Sequence, residues 1–146
     1  MIPLNLWEHH NAIKALYANC VGEVCQKHGV TRMELDILLF LANNPCYDTA
    51  KDIVEIRYLS KSQVSISIAL LEKGGYLAKK YQKENRKTAH LMLCSKADPL
   101  VSEGRRAQER FLGIMVQGIS EEDLTGMKRC MAQIMENIHY HLKEVK

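Results

Sequence analysis

The order of apolar and polar positions predicts a mainly helical chain interrupted by one short β-hairpin. From about Leu6 to Lys27, the residues Ile13, Leu16, Tyr17, Cys20, Val21 and Val24 recur at three- and four-residue spacings, which makes one helical stripe. Gly29 follows as a stop signal. Thr31 opens a second helix, with Glu34 three residues on. At that spacing the hydroxyl and the carboxylate each bond a backbone N–H that the helix start leaves without a partner. Leu35 to Leu41 is mostly apolar, so this helix is predicted to be buried on several sides. Asn43-Asn44-Pro45 ends it, because the residue before proline avoids the α region. Thr49 and Asp52 repeat the box for a short helix from Ala50 to about Arg57. Ser60 caps the next helix, Lys61 to Lys73, whose inward positions are Val64, Ile68 and Leu71 and which Gly74-Gly75 closes.

The period then changes to two. Leu77 to Tyr81 and Ala89 to Leu93 each suit a strand, with Leu91 and Leu93 on one side and His90 and Met92 on the other. The segment Lys83-Glu84-Asn85-Arg86-Lys87 between them predicts a basic loop with Arg86 at the hairpin tip. A helix to about Val116 follows, opened by Asp98-Pro99 or by Ser95 with Asp98 as its box partner. Ser120 and Asp123 open a last helix carrying Leu124, Met127, Met131, Ile134, Ile138 and Leu142.

Composition narrows the class. A length of 146 residues suits one domain, and 47% hydrophobic with 25% charged residues is globular composition. The longest uncharged apolar run, Ile37 to Ala42, is far short of the roughly 20 residues a bilayer span needs. The opening MIPLNLWEHH has no basic region followed by an apolar core, so no secretory signal is expected. The five cysteines are odd in number and form no CxxC, which argues against a disulfide framework or a zinc ribbon and for a reduced, cytoplasmic protein.

Charge is the informative quantity. The formal net charge is only +3, but residues 49–94 hold nine Lys or Arg against four Asp or Glu, a net of +5, leaving −2 for the rest. Lys79, Lys80, Lys83, Arg86 and Lys87 belong to the hairpin, and Lys61 starts a helix. Such local concentration suits a polyanion, because each phosphate contact releases counterions. The two short helices joined by Tyr58-Leu59-Ser60 form a helix-turn-helix pattern. Its second helix would enter the major groove with Lys61, Ser62, Gln63, Ser65 and Ile66 outward. Gln can pair bidentately with adenine, Ser can donate or accept at base edges, and an apolar side chain can meet a thymine methyl. The hairpin would be a wing bearing Lys79, Lys83, Arg86 and Lys87, with Arg86 suited to a narrow minor groove of enhanced negative potential.

These segments carry a family resemblance. GVTRMELDILLFL (29–41), DIVEIRYLSKSQVSISIALLEKGGYLAK (52–79) and NRKTAHLMLC (85–94) resemble the MarR family of winged helix-turn-helix regulators, and the similarity spans nearly the whole chain. Asp52, Leu59, Ser60, Ser62, Val64, Ser65, Glu72, Gly75, Arg86 and Leu91 are among the residues that fall in step. Ile66 and Lys79 stand where the family has arginine, Asn85 where it has aspartate, Arg57 at an apolar position and Ala97 in place of glycine. The resemblance implies a winged helix-turn-helix over 31–94, flanked by long dimerisation helices in 1–30 and 95–146. It implies a homodimer in which the first and the last two helices interleave, with Leu6, Ile13, Leu16, Ile134, Ile138 and Leu142 as dimerisation residues. It further implies a regulator that blocks or recruits polymerase and is often released by a small ligand, with an apolar or aromatic effector as the candidate class. Some relatives sense oxidants through a first-helix cysteine, which makes Cys20 and Cys25 the redox candidates.

The expected function is therefore a sequence-specific, double-stranded DNA-binding repressor acting as a homodimer on an inverted repeat. The competing classes are a winged-helix protein-interaction module that has lost DNA binding, for which Ile66 and Asn85 speak, and a thiol-sensing form of the regulator. No nucleophile elbow, P-loop or HExxH occurs, so no enzyme and no cofactor is expected. Cys25 and His28 amount to half a metal site, and no metal is expected either.

Overall fold

The computed structural model describes residues 5–145; the first four residues of the opening segment, over which no secretory signal is expected, lie outside them. In chain order the elements are α1 (Leu6–His28), α2 (Arg32–Asn43), α3 (Ala50–Arg57), α4 (Lys61–Lys73), β1 (Leu77–Gln82), β2 (Asn85–Leu93), α5 (Asp98–Val116) and α6 (Glu121–Glu144). This is a mainly α chain with a two-stranded antiparallel hairpin. It divides into two compact units, one ending at Phe111 and one beginning at Leu112. No helix among the described residues is long and apolar enough to cross a membrane.

The first unit is built around α2. Leu35, Ile37, Leu38 and Leu39 are fully buried there, together with Val21 of α1, Ile53 of α3, Val64 and Leu71 of α4, Leu77 of β1 and Leu100 of α5. Burying one such side chain stabilises by about 1.5–3 kcal/mol, so the near-continuous apolar run of α2 is the main anchor for the elements around it. Gly104 lets α5 come close: a Cβ there would stand 2.9 Å from Leu39 Cδ2. The predicted caps hold the helix starts. Thr31 with Glu34 and Thr49 with Asp52 form complete capping boxes, and Ser120 Oγ accepts from the Asp123 N–H at 3.1 Å.

Three expectations need correction. The α1 stripe is not one surface: Cys20, Val21 and Val24 are buried, whereas Leu6 and Ile13 are exposed and Leu16 is half-buried. Only the second half of α1 joins the core around α2. Neither proposed cap opens α5. Cys94 is the extended residue, Ser95–Ala97 forms a 3₁₀ turn, and Asp98 already has helical dihedrals, so it cannot act as an N-cap. The hairpin also runs further than alternation suggested. Gln82 pairs with Asn85, so Arg86 and Lys87 lie within β2 and Lys83-Glu84 alone makes the turn.

In the second unit, α6 follows a turn in which Gly118 takes φ +80°. No residue of α6 is buried. Met127, Met131, Ile134, Ile138 and Leu142 recur along it and are all exposed.

Candidate nucleic-acid interface

The candidate interface is assembled from α3, α4 and the hairpin. The α3 helix starts at the Thr49–Asp52 box and ends at Tyr58, which is left-handed at φ 53°. Ser60 then turns the chain into α4, its Oγ 3.0 Å from Ser62 Oγ and 3.5 Å from the Gln63 backbone nitrogen. Val64, Ser67, Ile68 and Leu71 face the core and fix the rotation of α4. Lys61, Ser62, Gln63, Ser65 and Ile66 are consequently exposed, as the period of the helix requires; Ile66 is 62% accessible. An apolar residue on that face offers a surface suited to a methyl group rather than a phosphate. A hollow of about 370 Å³ lies between α3 and α4, lined by Lys51, Val54, Glu55, Lys61 and Ser65 among others.

The wing follows at once. Strands β1 and β2 pair Leu77 with Leu93, Lys79 with Leu91 and Lys80 with His90, with an irregularity between Lys80 and Gln82. Leu77 and Leu91 sink into the core, and Lys79 through Lys87 are exposed. Asn85, standing where an aspartate was expected, still organises the wing: its Oδ1 accepts from the Lys87 N–H at 3.1 Å and its Nδ2 donates to Thr88 Oγ1 at 3.3 Å. Lys83 and Arg86 border a shallow hollow of about 390 Å³ with Tyr81 and Gln82. Lys79 is turned elsewhere, its Nζ 3.7 Å from Glu72 Oε1 at the end of α4.

One tie lies outside what the sequence pattern displays. His90 Nδ1 of β2 stands 2.8 Å from Asp48 Oδ1, in the segment before α3. Alternation marks His90 only as a residue facing away from Leu91, and nothing local pairs it with a carboxylate 42 positions earlier. A second unforeseen group lies where α1, α2 and α5 meet. Arg32 Nε donates to both Asp36 oxygens at 3.2 and 3.1 Å, and its guanidinium sits 4.4 Å over the Tyr17 ring. Gln108 Nε2 donates to Tyr17 Oη at 3.0 Å. Burial pushes the Asp36 carboxyl above its usual range, against the opposing pull of Arg32.

The two thiols of α1 are enclosed to different degrees. Cys20 is buried, and the half-buried Cys25 has its thiol pushed up, first by burial and then by the Asp36 charge. A reactive cysteine needs the opposite shift together with exposure. His28, the suggested partner of Cys25, instead has Nε2 3.1 Å from Glu103, which Lys27 also reaches at 2.8 Å. The hydrogen bonds from Lys27 and His28 hold the Glu103 carboxyl below its ordinary value. Among the described residues, no three potential metal ligands come together.

Residues 28–87, from the end of α1 to the start of β2, match the MarR family. Solved structures resemble the chain over nearly its full length. One is a MarR family transcriptional regulator from Listeria monocytogenes complexed with a 26mer DNA, 21% identical, with 94% of this chain and 90% of that one covered and a TM-score of 0.79. Another is a MarR protein from Peptoclostridium difficile, 17% identical, with 100% and 96% covered and a TM-score of 0.80. A third is a mutant of S. aureus MepR bound to an oligodeoxyribonucleotide, 15% identical, with 93% and 99% covered and a TM-score of 0.58. At these identities the likeness establishes the winged-helix fold alone. No curated protein matches the sequence.

Proposed function

We propose that this protein is a MarR family transcriptional regulator that binds double-stranded DNA as a homodimer, reading an inverted repeat with α4 in successive major grooves. The observation that carries this reading is the shared exposure of Lys61, Ser62, Gln63, Ser65 and Ile66 beside a basic hairpin presenting Lys83, Arg86 and Lys87. The DNA complexes of the Listeria and S. aureus relatives support it. In this reading, residues 31–94 form the DNA-binding region, and 1–30 with 95–146 form the dimerisation region. The homodimer is supported by the exposed apolar residues Leu6 and Ile13 on α1 and, separately, by the run Ile134, Ile138 and Leu142 along α6, since a stable monomer rarely leaves such apolar helix faces in water. The output is repression by occupying the operator, relieved by a small apolar or aromatic effector. The methionines Met115, Met127, Met131 and Met135 supply the adaptable side chains such a ligand would need.

The test is selection of bound fragments from genomic DNA, followed by titration of a selected duplex at several salt concentrations. Affinity should fall steeply with salt. Arg86→Ala should cost roughly 1–3 kcal/mol and lower the salt slope by about one. Failure to enrich any fragment, with association that ignores salt, would overturn the DNA-binding reading in favour of a protein-interaction module.

A further inference from the structure

The geometry points to Tyr58 as a contact to the DNA sugar-phosphate backbone at the mouth of the recognition helix, an inference that rests on the DNA-binding reading above. Among the described residues, four have positive φ, and three of them are glycines: Gly29, Gly75 and Gly118. The fourth is Tyr58, at φ 53° and ψ 44°. The comparison is close, because three helices end alike. After α1, the Gly29 N–H and the Val30 N–H both return to the Cys25 carbonyl. After α4, the Tyr76 N–H returns to the Leu71 carbonyl and the Gly75 N–H to that of Glu72. After α3, the Tyr58 N–H and the Leu59 N–H both return to the Val54 carbonyl. Each ending needs one left-handed residue, and glycine takes that conformation without a Cβ clash. The chain places glycine at two of these endings and a bulky aromatic at the third.

Packing does not account for the choice. The Tyr58 side chain is 66% exposed, while its neighbour Leu59 supplies the turn's contact with the core. Local backbone cost without local compensation is a mark of functional positions. The location supplies the function. In a helix-turn-helix the first helix crosses the phosphate backbone and the second enters the groove, so the elbow between them passes the backbone rim. Tyr58 is that elbow, two residues before the cap Ser60. A phenolic hydroxyl there can donate to a phosphate oxygen, a contact that positions the protein without reading sequence.

The experiment compares wild type, Tyr58→Gly and Tyr58→Phe by thermal melting and by anisotropy titration on mixed-sequence duplexes of about 30 base pairs, long enough for both half-sites. Tyr58→Gly should melt at the same or a higher temperature, because the left-handed residue is relieved. It should nevertheless bind about tenfold more weakly per half-site, the scale of one hydrogen bond to a charged group. The loss should be equal on every duplex. Tyr58→Phe keeps the ring and backbone preference but lacks the donor, so it should lose affinity comparably without a change in melting; it decides the matter should the glycine variant fold poorly. Wild-type affinity in Tyr58→Phe, or in a folded Tyr58→Gly, overturns the inference while leaving the DNA-binding reading intact. Wild type failing to bind any duplex overturns both.

Discussion

His90 locks the wing to the segment that precedes α3: its Nδ1 lies 2.8 Å from Asp48 Oδ1, and the amide of the following residue, Leu91, donates to the Asp48 carbonyl at 2.7 Å. Two bonds from adjacent residues of β2 thus hold one residue of the α2–α3 loop. The basic end of the hairpin projects from this anchored base, so its aim depends on the pair.

Removing the imidazole should expose that dependence. His90→Ala leaves the backbone bond of Leu91 but deletes the side-chain half of the lock, at a cost of about 1 kcal/mol, the usual net value of one such bond. The Leu91 amide should exchange with solvent faster, which hydrogen-exchange mass spectrometry or NMR would resolve. Unchanged protection at Leu91 would show that the backbone bond alone holds the wing base.

Gln63 tests the rotation of the recognition helix. Its neighbour Val64 is fully buried and Gln63 itself is exposed. Gln63→Ala should therefore alter stability by no more than about 0.5 kcal/mol, as surface substitutions do. It should relax discrimination at one base position by about 1–3 kcal/mol per half-site, the worth of a bidentate contact. A melting curve beside titrations on matched and singly changed duplexes separates the outcomes. Equal loss on every duplex would mean that Gln63 touches only backbone.

Ile138 tests the proposed dimer. It is 43% exposed on a helix that buries none of its residues within the chain. Ile138→Glu should weaken self-association by about 2–4 kcal/mol if the site is central to the interface. Sedimentation should then show a smaller species at micromolar concentration, and circular dichroism should show lost helicity because α6 loses its cover. A variant that sediments like wild type would remove Ile138 from the interface.

Asp36 gives a pH dependence with a definite sign. Its carboxyl is raised above 3.8 by burial, with Arg32 pulling the other way. The folded state therefore binds this proton more tightly than the unfolded chain does. Stability from this group falls as pH rises from the unfolded value through the raised native one, then stays level. Asp36→Asn cannot ionise. Denaturant unfolding of both proteins between about pH 4 and pH 7 should show the wild-type-minus-variant stability declining with pH and then flattening. A difference that grows with pH would mean that the Arg32 pair outweighs burial.

Local chemistry made much of this protein legible from its residues in order. The helices Ala50–Arg57 and Lys61–Lys73 begin where expected, because a cap joins residues only three apart, and the second ends where expected because Gly74-Gly75 acts on its own turn. The same periodicity singled out Val64, Ile68 and Leu71 as inward, and with them the outward set Lys61, Ser62, Gln63, Ser65 and Ile66. Distant pairing decided the rest. Alternation could not show that Gln82 meets Asn85 and draws Arg86 into β2, since strand length depends on a partner strand and on the Asn85 side chain. Periodicity could not divide α1 into a buried half with Val21 and an exposed half with Ile13, because both are apolar and only one reaches the α2 core. Nor does anything near His90 in the chain name Asp48, which becomes its neighbour only when β2 packs beside the segment before α3. A cap is a contact between near neighbours and is written in their spacing; burial and ion pairing join residues far apart in the chain, and their geometry exists only in the folded molecule.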